Sequence, residues 1–423
     1  MVLGTCVLVV GLLITVGIAV TGRNDLDIYL AASNDLLAGV DMYAKLYFEG
    51  FSYFYSPLFA LLVAPLGVLG PVVSKLVWSG LMLAALWRSW WLADRMLLVE
   101  ASSRVKLAVG FVTLLVLFQA ARDNLNSSQV TFFVIWSMLE GVYRIQLGGY
   151  VMGALVIAVG IDMKLLPLVL LPYLAYRRWW LPLVLVIACV LVLQVPPAVV
   201  SGWEGMHGLL RSRWALIDPS DTRHILDEDE PSTIALGSLL SAYLSTEGGN
   251  QHTLSLPRNL ANLDLGQFKL LLLAGRLLLV LLALYFLRWP PFRPARDNAH
   301  AWWELSYLML CTVLLFPHQR NYSLMLAGPA VAWLAWHAIA GPGRHVPRTG
   351  WWWTPRIALL LGFNASMLAG NYAPIYDHYK LYSFLTIGTI LMLMACGPGE
   401  MWSSRRPART GLLQDVDAPH RWE

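Results

Sequence analysis

Leu3-Gly4-Thr5-Cys6-Val7-Leu8-Val9-Val10-Gly11-Leu12-Leu13-Ile14-Thr15-Val16-Gly17-Ile18-Ala19-Val20 is eighteen residues without a charge. A helix needs about 20 predominantly apolar residues to cross the hydrocarbon core of a bilayer. The stretch lacks a basic start and a small-residue cleavage site, and Cys6 lies too near its beginning for a lipoprotein signal. It therefore reads as a retained first span. Residues 181–200 form a comparable run, and others follow, so the chain reads as a multi-span membrane protein and not an anchored soluble domain.

Composition agrees. The chain is 57% hydrophobic and 13% charged, against about 45–50% and about 25% in soluble domains, and its mean hydropathy is +0.58. Trp90–Trp91, Trp179–Trp180 and Trp351–Trp353 stand at the ends of apolar runs, where interfacial aromatic belts belong. A net charge of +4, scattered along the chain, argues against nucleic-acid binding. Cys6, Cys189, Cys311 and Cys396 lie inside apolar runs without metal-ligand spacing, which makes them packing residues rather than a disulfide framework.

Arginine and lysine gather in 88–106, 177–178, 288–296, 344–356 and the tail with Arg405, Arg406 and Arg409. Basic loops mark the cytoplasmic side. That leaves 21–56, 122–128, 201–266, 317–321 and 371–379 outside. Arg144 and Arg177 then both lie inside, yet the segment between them is too short for two full spans. Two short helices meeting at the polar turn Asp162-Met163-Lys164 resolve the conflict; backbone that leaves the helix at membrane depth must line protein or a wet cavity. The alternative is one long tilted helix with Arg144 outside. Pro57 and Pro65 break the run 57–69, making it re-entrant or half-buried. The expected fold is all-α: a polytopic transmembrane helical bundle of about 12 membrane segments with external juxtamembrane helices. Residues 1–398 form the transmembrane domain, with external loops 21–56 and 201–266, and 399–423 a short cytoplasmic tail. The acidic run Asp227 to Glu230 reads as solvated surface. No internal repeat of the kind found in many transporters is present.

Ionisable residues at membrane boundaries are costly and point to function. Here they fall on the external side. Asp25 and Asp27 open a helical stretch with Tyr29. One suits a helix cap and the other a general base, with the choice open. Tyr53-Phe54-Tyr55 is an aromatic belt or a groove wall for sugar and lipid. Arg122-Asp123-Asn124-Leu125-Asn126-Ser127-Ser128-Gln129 offers more donors and acceptors than a turn needs, which suits a polyhydroxylated ligand; alternatively, Arg122 pairs with Asp123. Lys164 meets a phosphate or neutralises Asp162. His318 and Arg320 follow Pro317 as an interfacial pair or part of an anion site, since arginine recognises phosphate through a planar fork. P-loop, GxGxxG, HExxH and GxSxG motifs are absent.

This order resembles the membrane glycosyltransferases of GT-C architecture: an acidic motif after the first span, Tyr55-Ser56-Pro57 before a short helix, an Asn/Gln-rich turn, Lys164 to Pro167, and Pro317-His318. It most resembles glycosyltransferase family 87, the polyprenyl-phosphate-mannose-dependent α-mannosyltransferases, from about Arg23 to about Pro329. The resemblance implies a catalytic aspartate in the first external loop, with Asp25-Leu26-Asp27-Ile28-Tyr29 matching on Asp25 and Asp27 a close second. It places the family's Gly-Gln element on Ser128-Gln129, where the glycine is missing, and departs from the commoner His-containing motif at Pro317-His318-Gln319-Arg320. It further implies inverting transfer of a hexose, mannose by family default, from a polyprenyl-phosphate sugar to a glycan or glycolipid acceptor on the external face of a bacterial inner membrane. Asp25 or Asp27 would serve as base, Lys164, Arg320, Arg122 and His318 would hold the donor phosphate, and Asn124, Asn126, Gln129, Tyr29 and Tyr55 would bind sugar or acceptor. No metal or other cofactor is called for. The rival expectation is a transporter or flippase of lipid-linked sugars.

Overall fold

The computed structural model describes residues 1–48, 50–218, 221–226, 232–245, 254–340, 353–370 and 373–398, the side chains of 223, 353–356, 366 and 373 apart. The acidic run Asp227 to Glu230, most of the basic loop 344–356 and the tail 399–423 lie outside the described residues.

Every regular element among them is helical. The first span is α1 (Val2–Thr21). α2 (Asp25–Leu37) and α3 (Pro57–Val63) lie in the region between it and α4 (Pro71–Met96). α5 (Ser103–Val116) and α6 (Phe118–Asn126) are separated by a bend of 61°. α7 (Thr131–Gln146), α8 (Tyr150–Met163), α9 (Leu170–Tyr176) and α10 (Trp180–Val192) follow, then α11 (Val195–Ile217), bent by 53° from α10. α12 (Thr222–Leu226) and α13 (Leu236–Leu244) belong to the long loop. α14 (Leu265–Leu287), α15 (Asn298–Leu315), α16 (Gly328–Ala340), α17 (Trp353–Phe363), α18 (Ala365–Ala369), α19 (Ala373–His378) and α20 (Leu381–Ala395) complete the chain.

Among the described residues, Val2–Thr21, Leu265–Leu287 and Asn321–Ala340 are long and apolar enough to cross a bilayer, and the bent pairs α5–α6 and α10–α11 raise the number to five. The sequence reading expected about twelve segments. The surplus falls on short apolar helices such as Pro57–Leu69, Tyr150–Met163, Leu166–Tyr176 and Leu381–Ala395, which at ~1.5 Å per residue do not reach ~30 Å.

The short hairpin between Arg144 and Arg177 is present. α10 packs along α8, and Gln194, just past the end of α10, donates its amide to Asp162 at the end of α8. The two helices therefore run parallel. The chain between them turns at Lys164, whose backbone is extended, and returns through a 3-10 turn (Leu166–Val169) and α9.

A second break is stabilised by one side chain. The bend at Leu117 frees carbonyls of α5 and an N–H of α6. Asn364 fills the gap: its Nδ2 donates to the Leu115 and Val116 carbonyls at 2.9 and 3.0 Å, and its Oδ1 accepts from the Gln119 N–H at 3.1 Å. Gln119 in turn accepts from the Met367 N–H and donates to the Tyr382 hydroxyl, both at 3.0 Å. Inside a bilayer no water would satisfy these groups, so the broken helix depends on such partners.

Residues expected on the inner side form saturated ion pairs. Arg88 grips Glu140 through Nε and Nη2 at 2.8 and 2.9 Å, and Arg144 adds a 2.6 Å contact. Arg177 and Glu304, both fully buried, pair directly. Arg177 also donates to the carbonyls of Pro290 and Arg293, while Tyr173 donates to Glu304 at 2.8 Å. This lattice ties α9 to α15 and to the turn before it.

Candidate active site

The polar residues of the other end converge from several segments. α1 ends at Thr21. Lys75, in the first turn of α4, donates to the Gly22 carbonyl at 2.7 Å, so the close of α1 and the opening of α4 meet. Trp78, one turn on, donates its indole N–H to the Ser128 carbonyl at 3.0 Å. The Asp25 N–H donates to the Ser127 carbonyl at 3.2 Å, which seats the start of α2 on the turn between α6 and α7.

This seating separates the two aspartates. Asp27 accepts from the Asn24 N–H at 2.9 Å, closing the first turn of α2, and its carboxylate pairs with Lys75 at 2.9 Å. Through one oxygen, Oδ2, it serves as both cap and counter-ion. Asp25 points the other way, where the Gln129 amide donates to its Oδ2. The Tyr55 hydroxyl donates to Gln129 Oε1 at 3.3 Å, and Tyr29 donates to Tyr55 at 2.9 Å. Burial first, then neighbouring charge, holds both phenols well above their ordinary range, so they remain protonated donors at physiological pH.

Gln129 takes this position because the turn before it is left-handed: Ser128 has φ 54°, a region that non-glycine residues rarely visit. The serine hydroxyl is buried and has no hydrogen-bond partner among the described residues. Glycine would fit here without that strain.

Lys164 stands at the apex of the α8–α9 hairpin. Its ammonium lies 5.2 Å from the centre of the Tyr322 ring and within electrostatic reach of Asp25. Among the described residues it makes no hydrogen bond and no ion pair within 4 Å. Asp162 is not its partner. That carboxylate accepts from Gln194 at 3.1 and 3.2 Å and from Ser56, so the neutralising pair that was one expectation for this turn does not form.

The remaining expected residues occupy the surroundings. Asn124 is buried and donates to the Tyr322 carbonyl at 2.7 Å, fixing the residue whose ring faces Lys164. Asn126 is on the exposed end of α6, and no described contact ties it to the cluster. Arg122 makes only a long 3.4 Å contact with Asp123, and both side chains keep substantial solvent exposure. His318, at φ 55°, stacks on Phe54 and hydrogen-bonds to His224. Arg320 donates to Ser232 at 3.2 Å and bridges to Thr233, and Ile234 N–H donates to the Gln319 carbonyl at 2.7 Å. The long loop thus folds back across the Pro317 turn.

Three contributors were not singled out in the sequence. Tyr322 sits between Asn124 and Lys164. His224 comes from the long loop. Asp377 accepts from Asn321 at 3.2 Å, and burial raises its carboxyl pKa against the pull of Asn321, Lys380 and Arg320. The polar stretch around Pro317 reads as one cluster from Phe316 to Tyr322, but roles fell in it only to His318 and Arg320.

The arrangement places a carboxylate, an amide, two phenols and an ammonium around one locus. This suits proton abstraction from a hydroxyl beside a site for an anionic leaving group.

No curated protein matches the chain. The profile of glycosyltransferase family 87 matches residues 53–317, a stretch that holds Tyr55, Gln129 and Lys164 but begins after Asp25 and ends before His318. A match over well over half of the chain identifies it: the protein belongs to glycosyltransferase family 87.

Proposed function

We propose that this glycosyltransferase moves a hexose, mannose by family default, from a polyprenyl-phosphate donor to a glycan or glycolipid acceptor on the external face of the plasma (bacterial inner) membrane. The observation that carries the reading is the meeting of Asp25, Gln129, Tyr55 and Lys164, drawn from four separate segments, around one locus at the end opposite the saturated arginine pairs. Asp25 takes the proton of the acceptor hydroxyl as its oxygen attacks the anomeric carbon. The bond to the phosphate oxygen breaks through an oxocarbenium-like state, and a single displacement inverts the configuration. The electron pair leaves on polyprenyl phosphate, where Lys164 stabilises the added charge. Arg122, His318 and Arg320 line the approach, and Gln129 and the Tyr29–Tyr55 pair orient Asp25 and the sugar.

The support for polyprenyl phosphate is chemical. A lysine ammonium that makes no ion pair within 4 Å among the described residues, and that lies within electrostatic reach of a carboxylate suited to act as base, fits a phosphorylated leaving group arriving from the membrane. The fold class we propose is the GT-C bundle, with the short helices completing about twelve membrane segments. The test is transfer from labelled polyprenyl-phosphate-mannose to candidate acceptors by purified protein. Turnover lost in Asp25→Asn with intact folding supports the reading. Movement of intact donor across a bilayer, unaffected by that change, overturns it in favour of a flippase.

A further inference from the structure

α11 carries two faces with different fates. Gly202, at φ 72°, breaks it into two helical pieces. Beyond the break, Trp203, Leu210 and Trp214 are exposed by 73%, 40% and 63%. Their spacing of seven and four residues puts them in one stripe. This stripe continues the exposed apolar surface of α10 and of the first part of α11, including Leu191, Val192, Val195 and Val199. α10 is a membrane-depth helix, and tryptophans belong at the headgroup level. Their exposure and their indole rings suit a helix that lies along a bilayer interface with Trp203, Leu210 and Trp214 against lipid.

The opposite face meets the protein. Met206 and Leu209 are buried, and Ser212 donates to Asp41 at 2.6 Å. Next to it stands Arg213, half-buried. Among the described residues its buried Nε has no hydrogen-bond partner, and the guanidinium makes no ion pair within 4 Å. Its charge reaches Tyr43, Tyr53 and Asp162, but these are occupied. Tyr43 donates to the Tyr55 carbonyl, Tyr53 donates to the Ser56 carbonyl, and Asp162 accepts from Gln194. A guanidinium at this depth without a matching acceptor calls for an anion.

We propose that Arg213 is the seat for the phosphate of a membrane lipid, reached from the bilayer along the Trp203–Leu210–Trp214 edge. The planar fork of arginine accepts two phosphate oxygens at once. Asp162 belongs to the turn that ends in Lys164, so the seat lies on the flank of the candidate active site. The phosphate could come from a polyprenyl-type carrier or from bulk phospholipid. Glycosyl transfer has no part in the argument, and binding at Arg213 is expected to survive Asp25→Asn.

The full-length protein in a phosphate-free detergent tests this in two ways. In the first, phenylglyoxal modification of Arg213 in the wild-type protein is followed by peptide mass spectrometry. Farnesyl phosphate or short-chain phosphatidylglycerol is added, with farnesol as the uncharged control. Phosphate-bearing lipid is expected to slow modification of Arg213 severalfold while farnesol does not. Protection by farnesyl phosphate alone assigns a carrier lipid, and protection by phosphatidylglycerol assigns bulk headgroups. Protection by neither overturns the proposal. In the second, Arg213→Gln is expected to weaken binding of the protecting lipid about ten- to hundredfold, as loss of a charge-assisted pair does, with Arg213→Lys intermediate. Unchanged binding by folded Arg213→Gln overturns the proposal. Should that variant not fold, the protection experiment on the native protein decides.

Discussion

Two aspartates lie two residues apart, and the structure gives them different work, so a matched pair of substitutions tests the division. Asparagine keeps the shape and one acceptor oxygen at either position. Asp25→Asn still accepts from Gln129, so folding is preserved while the base is lost. A positioned general base contributes about 10²–10⁴-fold, or roughly 2.7–5.5 kcal/mol of barrier. Asp27→Asn still accepts from the Asn24 N–H but no longer neutralises Lys75. Lys75 is 7% exposed and keeps only the Gly22 carbonyl. Breaking a buried pair costs about 3–5 kcal/mol. Asp27 is 19% exposed, so water takes up part of this, and about 2 kcal/mol is the expected loss. The assay is turnover of labelled donor by purified protein, with a thermal melt of each variant. Asp25→Asn should lower kcat at an unchanged melting temperature. Asp27→Asn should melt a few degrees lower and keep its kcat within about threefold. Loss of turnover in Asp27→Asn at wild-type stability, or wild-type turnover in Asp25→Asn, would refute the assignment.

Lys164→Ala should lower kcat about 10²–10³-fold, as loss of a preorganised charge at a leaving group does, while the melt stays unchanged; equal losses of turnover with phosphate and pyrophosphate-type leaving groups of very different basicity would count against a leaving-group role. Ser128→Gly relieves a left-handed residue and removes a buried, unpartnered hydroxyl, so the protein should gain on the order of 1 kcal/mol, read as a higher melting temperature with full activity. Asn364→Ala leaves two carbonyls and an N–H unpaired at the α5–α6 bend, each worth about 1–3 kcal/mol; poor expression or a large drop in melting temperature is expected, and a normal melt would show that water reaches the bend. Glu304→Gln strands the buried Arg177 and should destabilise by about 3–5 kcal/mol, visible as early aggregation on heating.

The general plan of the fold was legible because its signals are strong. The charge-free run 3–20 marked the first span, although against the dozen segments expected only three helices among the described residues, or five with the bent pairs, are long and apolar enough to cross, and the basic loops pointed to a hairpin at Asp162–Lys164 that hydropathy alone would not have suggested. The choice between Asp25 and Asp27 was not legible. It depends on Lys75, fifty residues away, reaching Gly22, and on the Asp25 N–H finding the Ser127 carbonyl. Asp162 left a choice open for a related reason. Two residues before a lysine it looks like its counter-ion, but the extended backbone at Lys164 turns the two side chains apart. Asn364 was invisible because its neighbours are apolar helix residues, and its role exists only against a break some 250 residues earlier. Ser128 was noticed for the wrong property. The sequence marked a missing glycine, and the left-handed φ explains what the glycine would be for.

The two ends of the bundle use charge in opposite ways. At one, Arg88 and Arg144 pair with Glu140, and the buried Arg177 pairs with Glu304 and backbone carbonyls. Such pairs fix helix positions at a net energy near zero, because desolvation cancels most of the attraction. At the other end, Lys164 and Arg213 sit at comparable depth without a hydrogen bond among the described residues, although Asp162 and several hydroxyls lie close by and are engaged elsewhere. Asp162 pairs with neither of them, since it accepts from Gln194 and Ser56. Holding the acid to Gln194 and Ser56 leaves Lys164 and Arg213 without an ion pair within 4 Å among the described residues, and a phosphate-bearing lipid is the kind of partner that supplies one on binding.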